Sequence, residues 1–430
     1  MNLKEGIMRT STLIYFGFLL ASAAILEAQT DPGPRSGRPQ SGPPLQGLSP
    51  AEIQAFMAGR GAFGEVASVP TGLGPRFNLD SCAGCHAQPS VGGTSPAVNP
   101  QLAVAARNGA QNQVPPFIQS NGPIRVVRFR QAPGGGPDGG VHDLFVISGR
   151  TDAPAGCQIA QPDFSNPQNL SFRIPTPVFG LGLIEAIPDS TLKANLAANA
   201  NRKGPLGIRG QLNSSANDGT ITRYGWKAQN KSLLVFSGEA YNVEIGVTNE
   251  LFPQEREDNP ACATNSLPED HPDPVTGKPS DIEAFAGFMR FLAPPQPSPT
   301  SESIDNGRSL FDSTGCALCH TPALQSGNAI SAALNAQPVH LYSDLALHRM
   351  GQALDDRITQ GAAQGDQWRT APLWGLGDRI FLLHDGRTQD LGQAITIHDS
   401  PGSEAHGVVA NYQALTPAQK QDLLNFLRSL

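Results

Sequence analysis

Cys82-Ala83-Gly84-Cys85-His86 decides how the rest of this chain is read, and Cys316-Ala317-Leu318-Cys319-His320 repeats it. In a C-x-x-C-H sequence, two thiols two residues apart can bond the two vinyl groups of one haem. The histidine that follows then presents an imidazole to the iron. One copy alone could also belong to a structural zinc site. Two copies behind what reads as an export signal point to two covalently bound haem c groups. Cys82, Cys85, Cys316 and Cys319 would hold them, with His86 and His320 as proximal iron ligands.

The sequence before each motif repeats weakly. Gly59-Arg60-Gly61-Ala62-Phe63 precedes the first and Gly307-Arg308-Ser309-Leu310-Phe311 the second. A short helix ending in an aromatic residue leads into each attachment site, which is how cytochrome c domains begin. The expected fold is mainly α, with two cytochrome c-like haem domains and a large loop-rich insertion in the first. The expected boundaries are a signal peptide over 1–28, a flexible linker over 29–47, an N-terminal haem domain over 48–295 and a C-terminal one over 300–430.

Helix starts are marked by capping boxes. Ser49-Pro50-Ala51-Glu52 opens a helix expected to bury Ile53, Phe56 and Met57 and to run out near Gly59–Gly61. Ser280 and Glu283 open another over 281–292, ended by Pro294-Pro295. Thr416-Pro417-Ala418-Gln419 opens the last, with Leu423, Leu424 and Leu427 as its apolar stripe. Between about 120 and 275 lie short strand-like runs and long loops.

Lys4 and Arg9 followed by an apolar run from Thr12 to Leu26 read as a secretory signal, cleaved after Ala23 or Ala28, which gives an exported, periplasmic protein that is soluble after signal removal. A formal charge of −7 argues against nucleic acid as a partner. It allows docking of a small basic electron-transfer protein. The two cysteines outside the motifs, Cys157 and Cys262, are expected to form a disulfide, with a redox-active pair as the alternative.

Arg369-Thr370-Ala371-Pro372-Leu373, Leu383-His384-Asp385-Gly386-Arg387 and Asp390–Ile395 resemble the C-terminal lobe of the bacterial di-haem cytochrome c peroxidase and MauG superfamily. Arg173–Ile187, Tyr224–Ala228, Ile245–Asn249, Tyr342–Gly351 and Trp368–Gly377 look more narrowly like the di-haem cytochrome c oxidoreductase family, sometimes labelled thiol oxidoreductase. In the superfamily the distal ligand of the second haem follows the helix after His-Asp-Gly. Here that position is His398, with His348 and Met350 as rivals. The resemblance places Trp226 between the haems and Glu244 over the first haem as acid–base carboxylate. Glu185 is a second distal carboxylate candidate. Arg173 and His384 are candidates for haem propionates, though Glu185 and Arg173 could equally be structural ion pairs. Phe236 stands where the peroxidases carry a glutamine, a departure that counts against efficient peroxidase chemistry. A structural Ca2+ between the lobes is known in the superfamily, but no ligand loop here identifies one.

The leading expectation is a peroxidase-like oxidoreductase. Hydrogen peroxide or oxygen would react at the first haem, with electrons relayed through the second from a cytochrome c or cupredoxin. Two readings stay open beside it: a pure electron carrier with both irons six-coordinate, and a haem oxygenase-type enzyme that cleaves an organic substrate.

Overall fold

The computed structural model describes residues 29–36, 40–263 and 265–430, so the segment read as an export signal lies outside the described residues. Helices are the main regular element. Among the described residues, twelve α-helices together with short 3-10 and π turns make up 32 %, and the strands are short. No helix among the described residues is long and apolar enough to cross a membrane.

Two helix crossings frame the molecule, and the repeat seen in sequence explains both. Helix Pro50–Gly64 starts at the Ser49 capping box and packs on helix Asp281–Phe291, which starts at the Ser280 box. It buries Phe56, Gly59 and Phe63, whereas Ile53 and Met57 face solvent, 43 % and 57 % exposed. The expected face was therefore wrong by part of a turn, and the helix runs past Gly61. The reason is Gly59: a Cβ there would sit 2.1 Å from the Ala284 carbonyl, so the backbones meet at this glycine and its neighbours i−3 and i+4 point inward. Helix Glu302–Ser313 packs on Pro417–Ser429 in the same way, with Gly307 against the Asp422 carbonyl and Phe311 buried.

The middle region holds a three-stranded antiparallel sheet ordered Val141–His142, Val126–Phe129, Leu170–Arg173. Cys157 and Cys262 are joined as a disulfide, tying two long loops of this region together. A separate pair, Leu347–Arg349 with Gln367–Arg369, sets His348 opposite Trp368.

Among the described residues the apolar core falls into one large cluster, a smaller one and two of three buried residues each. The smaller gathers Phe311, Leu382, Leu391, Tyr412 and the C-terminal helix. The larger gathers the first helix pair and the middle region, and it also takes in Leu324, Leu334, Val339, Leu341 and Leu345. Part of the segment assigned to the second lobe therefore packs against the first.

The Pro- and Gly-rich stretch read as a tether is bound in place. Among its described residues, Asp31 pairs with Arg428 at 2.6 Å and Arg35 with Asp378 at 2.6 Å, while the Leu45 N–H donates to the Phe291 carbonyl. Both ends of the Asp31–Arg428 pair are buried. Composition signals a lack of regular structure, and that part holds, but specific ion pairs fix the strand as a strap across both helix pairs.

Candidate haem centres

The second motif faces an apolar cavity with about 1370 Å³ of unfilled space, part of it open to solvent. Cys316, Cys319 and His320 line it, and so do His398, His384, His348, Met350, Trp226 and Trp368. The ring of His320 gives Nδ1 to the Tyr342 carbonyl at 3.1 Å, and that of His398 gives Nδ1 to the Ala394 carbonyl at 2.6 Å. A carbonyl only accepts, so each ring carries its proton on Nδ1. Burial holds both rings below the ordinary imidazole value, His320 at about 4, so each is neutral and keeps a lone pair on Nε2. That is the bonding pattern of a metal-ligating histidine. His398 reaches the cavity because helix Leu391–Ile397, capped by Asp390, ends one residue before it.

His348 is different. Its Nε2 meets Asp344 and its Nδ1 meets Glu404, each at 2.9 Å, and Cys319 Sγ lies 3.7 Å from Nδ1. Burial opposes a charge here, but the Cys319 sulfur and the Asp344 carboxylate carry the ring well above the ordinary value. With a carboxylate on each nitrogen, His348 is an imidazolium with no lone pair to offer. Cys319, Asp344 and His348 also lie close enough to group around a metal ion, but both ring nitrogens of His348 are taken up by carboxylates.

The cavity wall also carries two guanidinium groups. Arg369 donates Nε–H to the Gly225 carbonyl at 2.9 Å, and Arg379 donates to the Pro372 carbonyl at 2.9 Å. Among the described residues neither forms an ion pair, and burial pulls both down to about 10. A cation in an apolar cavity without a counter-charge is costly. Two such cations, two neutral imidazoles and two thiols around one apolar space fit a planar macrocycle bearing two carboxylates. Sequence reading missed Arg369 and Arg379 because nothing local distinguishes an arginine without a partner from one in an ion pair.

Arg173 and Glu185 do not stand ready for a ligand. Arg173 is spent on Asp356 at 2.7 Å and on Gln360. Glu185 takes Arg290 at 2.7 Å on one oxygen and the N–H of Leu233 at 3.0 Å on the other, so it pins the start of helix Leu233–Ala240. Both form ion pairs of the scaffold, the alternative that the sequence left open beside a propionate role for Arg173 and a distal-acid role for Glu185. His384 lines the cavity, stacks on Trp368 at 3.8 Å and is pushed down to about 3 by burial, so its ring is neutral.

The first motif repeats the Nδ1 bond of that pattern, and the Thr176 backbone bonds the His86 ring as well. His86 gives Nδ1 to the Gly93 carbonyl at 3.0 Å, is held at about 4 by burial, and meets the edge of Phe63 at 5.8 Å, as His320 meets Phe311 at 6.4 Å. Glu244 is on this side of the molecule. It sits in a single π-turn, Tyr241–Ile245, that continues helix Leu233–Ala240, and Asn78 grips it: the Asn78 amide reaches its Oε2 at 3.0 Å while the Asn78 N–H bonds its carbonyl at 2.8 Å. Burial first, then the charge of Asp143, pushes the Glu244 carboxyl up to about 8. Its charge, after burial and Asp281, contributes to raising Cys82 to about 12. Phe236 stacks on Tyr224 at 6.0 Å.

Trp226 stands between the two regions. It lines the cavity of the second motif and donates Nε1–H to the Ile174 carbonyl at 2.8 Å. The segment Pro175 to Val178, just after Ile174, bonds to Thr94 and Gly92 in the loop after the first motif.

No curated protein matches the chain. Among solved structures it is similar to hydrazine synthase of Kuenenia stuttgartiensis at 14 % identity, over 99 % of this chain and 100 % of that one, with a TM-score of 0.37. It is also similar to a MauG-like protein associated with microbial copper homeostasis at 16 % identity, over 57 % and 89 %, with a TM-score of 0.30. A third is the diheme peroxidase BthA from Burkholderia thailandensis at 14 %, over 65 % and 92 %, with a TM-score of 0.31. Likenesses this distant say nothing about chemistry here. The sequence match is stronger: residues 145–430, two thirds of the chain, match the family described as "Di-haem oxidoreductase, putative peroxidase", a span that includes the second motif and begins after the first. By that match the chain belongs to the di-haem oxidoreductases.

Proposed function

We propose that this protein is an exported di-haem c oxidoreductase that reduces peroxide or oxygen at its first haem and draws the electrons through its second. The observation that carries the reading is the shared bonding of His86, His320 and His398. Each gives Nδ1 to a backbone carbonyl, and two of them, His320 and His398, keep an Nε2 lone pair in one apolar cavity beside Cys316 and Cys319. When bound, the haems supply one-electron exchange at both sites and oxidant reduction at the first.

The chain's residues divide the work. Cys82 and Cys85, and Cys316 and Cys319, form the thioethers. His320 and His398 would hold the second iron, which would suit that haem to relay over substrate binding. Arg369 and Arg379, with His384, receive the propionates of that haem. Glu244 serves as proton acceptor and donor at the first site; a carboxyl raised to about 8 is protonated at neutral pH and can give a proton as an O–O bond breaks. Trp226 carries charge between the sites. The electron donor is a small cytochrome c or cupredoxin in the periplasm.

The test is the spin state of the purified holoprotein. The expected result is one high-spin ferric haem whose signal is lost on adding cyanide, beside one low-spin haem that ignores it. His398→Ala should turn the low-spin haem high-spin. Two low-spin haems indifferent to cyanide and peroxide in both redox states would refute the enzyme reading and leave an electron carrier.

A further inference from the structure

The wall beside the second cavity holds two indoles, and the chain surrounds them differently. Trp226 and Trp368 meet edge to face with ring centroids 6.5 Å apart. Each donates its N–H to a backbone carbonyl, Trp226 to Ile174 at 2.8 Å and Trp368 to Leu354 at 2.7 Å, so hydrogen bonding does not separate them. Charge does. The Lys227 ammonium lies 4.1 Å from the centroid of Trp368, and the Arg173 guanidinium 5.3 Å from it. Among the described residues no lysine or arginine lies over the ring of Trp226.

The cations over Trp368 are locked in place. The Lys227 side chain is fully buried, and its ammonium donates to the carbonyls of Gln364, Gly365 and Gln367 at 2.7, 2.9 and 3.1 Å. Asp356 pairs with Lys227 at 3.1 Å and with Arg173 at 2.7 Å, so one carboxylate pairs with two cations, while Asp355 acts on Lys227 and Glu239 on Arg173 without forming an ion pair. Burial, against the pull of Asp356, brings Lys227 down to about 8, and it is still charged at neutral pH. His384, stacked at 3.8 Å, is neutral and cancels none of this. A cation over an indole face favours the electron-rich ring and opposes removal of an electron from it, the more so where water is excluded.

We propose that Lys227, aided by Arg173, makes Trp368 the poorer electron donor of the two indoles and so confines the electron vacancy to Trp226. The inference rests on the relay reading of Trp226 given above. Hydrogen peroxide is the oxidant. It takes up two electrons, one from Trp226 and one from the haem groups, and two protons, one from the Glu244 carboxyl and one from solvent, and leaves as two waters. The Trp226 N–H proton stays in its bond to the Ile174 carbonyl. Lys227 is thus a positioning residue for charge and touches no substrate.

The experiment treats the haem-loaded protein with hydrogen peroxide in the absence of an electron donor and then measures oxidised tryptophan at each position by peptide mass spectrometry. In the wild type, oxidation at Trp226 should exceed that at Trp368 by tenfold or more. Lys227→Gln, which removes the charge and keeps hydrogen-bond donors for the carbonyls, should bring the ratio close to one, as should Lys227→Met. Lys227→Arg should restore it. Equal oxidation of the two indoles in the wild type, or a ratio that ignores loss of the charge, would overturn the proposal while leaving the relay intact. The wild-type ratio decides this even where a variant fails to fold. Consumption of peroxide with neither indole changed in any protein would remove the relay reading itself, and this inference with it.

Discussion

Replacing Glu244 by glutamine should stabilise the protein at alkaline pH and leave it unchanged in acid. The structure raises the Glu244 carboxyl from 4.5 to about 8, through burial first and the Asp143 charge second, against Arg128, Arg256 and the Asn78 amide. The folded chain therefore binds a proton that the unfolded chain has released. Between these two values folding stability falls as pH rises, by about 1.4 kcal/mol for each pH unit per group. Over the full span the ionised carboxylate costs about 5 kcal/mol relative to its neutral form, a ceiling that water entering the site lowers. Glutamine mimics the neutral acid and escapes this loss. Urea unfolding of the wild type and Glu244→Gln at pH 5, 6.5, 8 and 9 isolates the group, since Asp143, also raised, titrates in both proteins. The variant should match the wild type near pH 5 and exceed it by several kcal/mol at pH 8 and 9. A difference that is the same at every pH would show that Glu244 is ordinary, and its assignment as a proton donor at neutral pH would fall with it.

Three further outcomes follow from geometry. His348→Asn should leave the second haem low-spin, because both His348 nitrogens are already bound to carboxylates; a shift to high spin would make His348 the ligand in place of His398. Arg428→Met strands the buried Asp31 carboxylate and should cost about 3–5 kcal/mol in urea unfolding. Burial works against the Asp31 charge, but the Arg428 bonds and backbone N–H groups hold its pKa low, so the loss should be present above the unfolded carboxylate range and shrink as pH falls through the folded value; a loss independent of pH contradicts the pairing. Gly307→Ala places a Cβ 2.6 Å from that of Phe426 and should cost about 1–3 kcal/mol, whereas Gly61→Ala, with no atom within 4 Å, should be harmless; equal unfolding midpoints would mean the helix crossing is looser than described.

Much of the candidate site was legible in the chain because its signals are local. A thiol spacing of two, a histidine directly after it, and a capping serine three residues before a glutamate are contacts within one turn, and the backbone alone sets them. The repeat Gly59–Phe63 and Gly307–Phe311 was visible for the same reason, although its meaning, a glycine at a helix crossing, was not. The errors and the open readings came where a distant partner decides a residue's state. For Arg173 and Glu185 the chain left ligand contact and scaffold ion pair equally open, because their partners Asp356 and Arg290 lie more than a hundred residues away. Ile53 and Met57 read as core until Gly59 set the face of the helix.

The sequence by itself determined that two C-x-x-C-H motifs stand in one chain, each led by a short helix, with a histidine placed to follow the helix after His384. Only the tertiary structure decided which groups are free. It shows a lone pair left on His398 and none on His348, two guanidinium groups without counter-charges at the cavity wall, and one indole under a buried ammonium with its neighbour clear of it. Spacing along the chain fixes contacts within a turn or two. The protonation and pairing of a buried group depend on what packs against it from hundreds of residues away, and that is set by the fold.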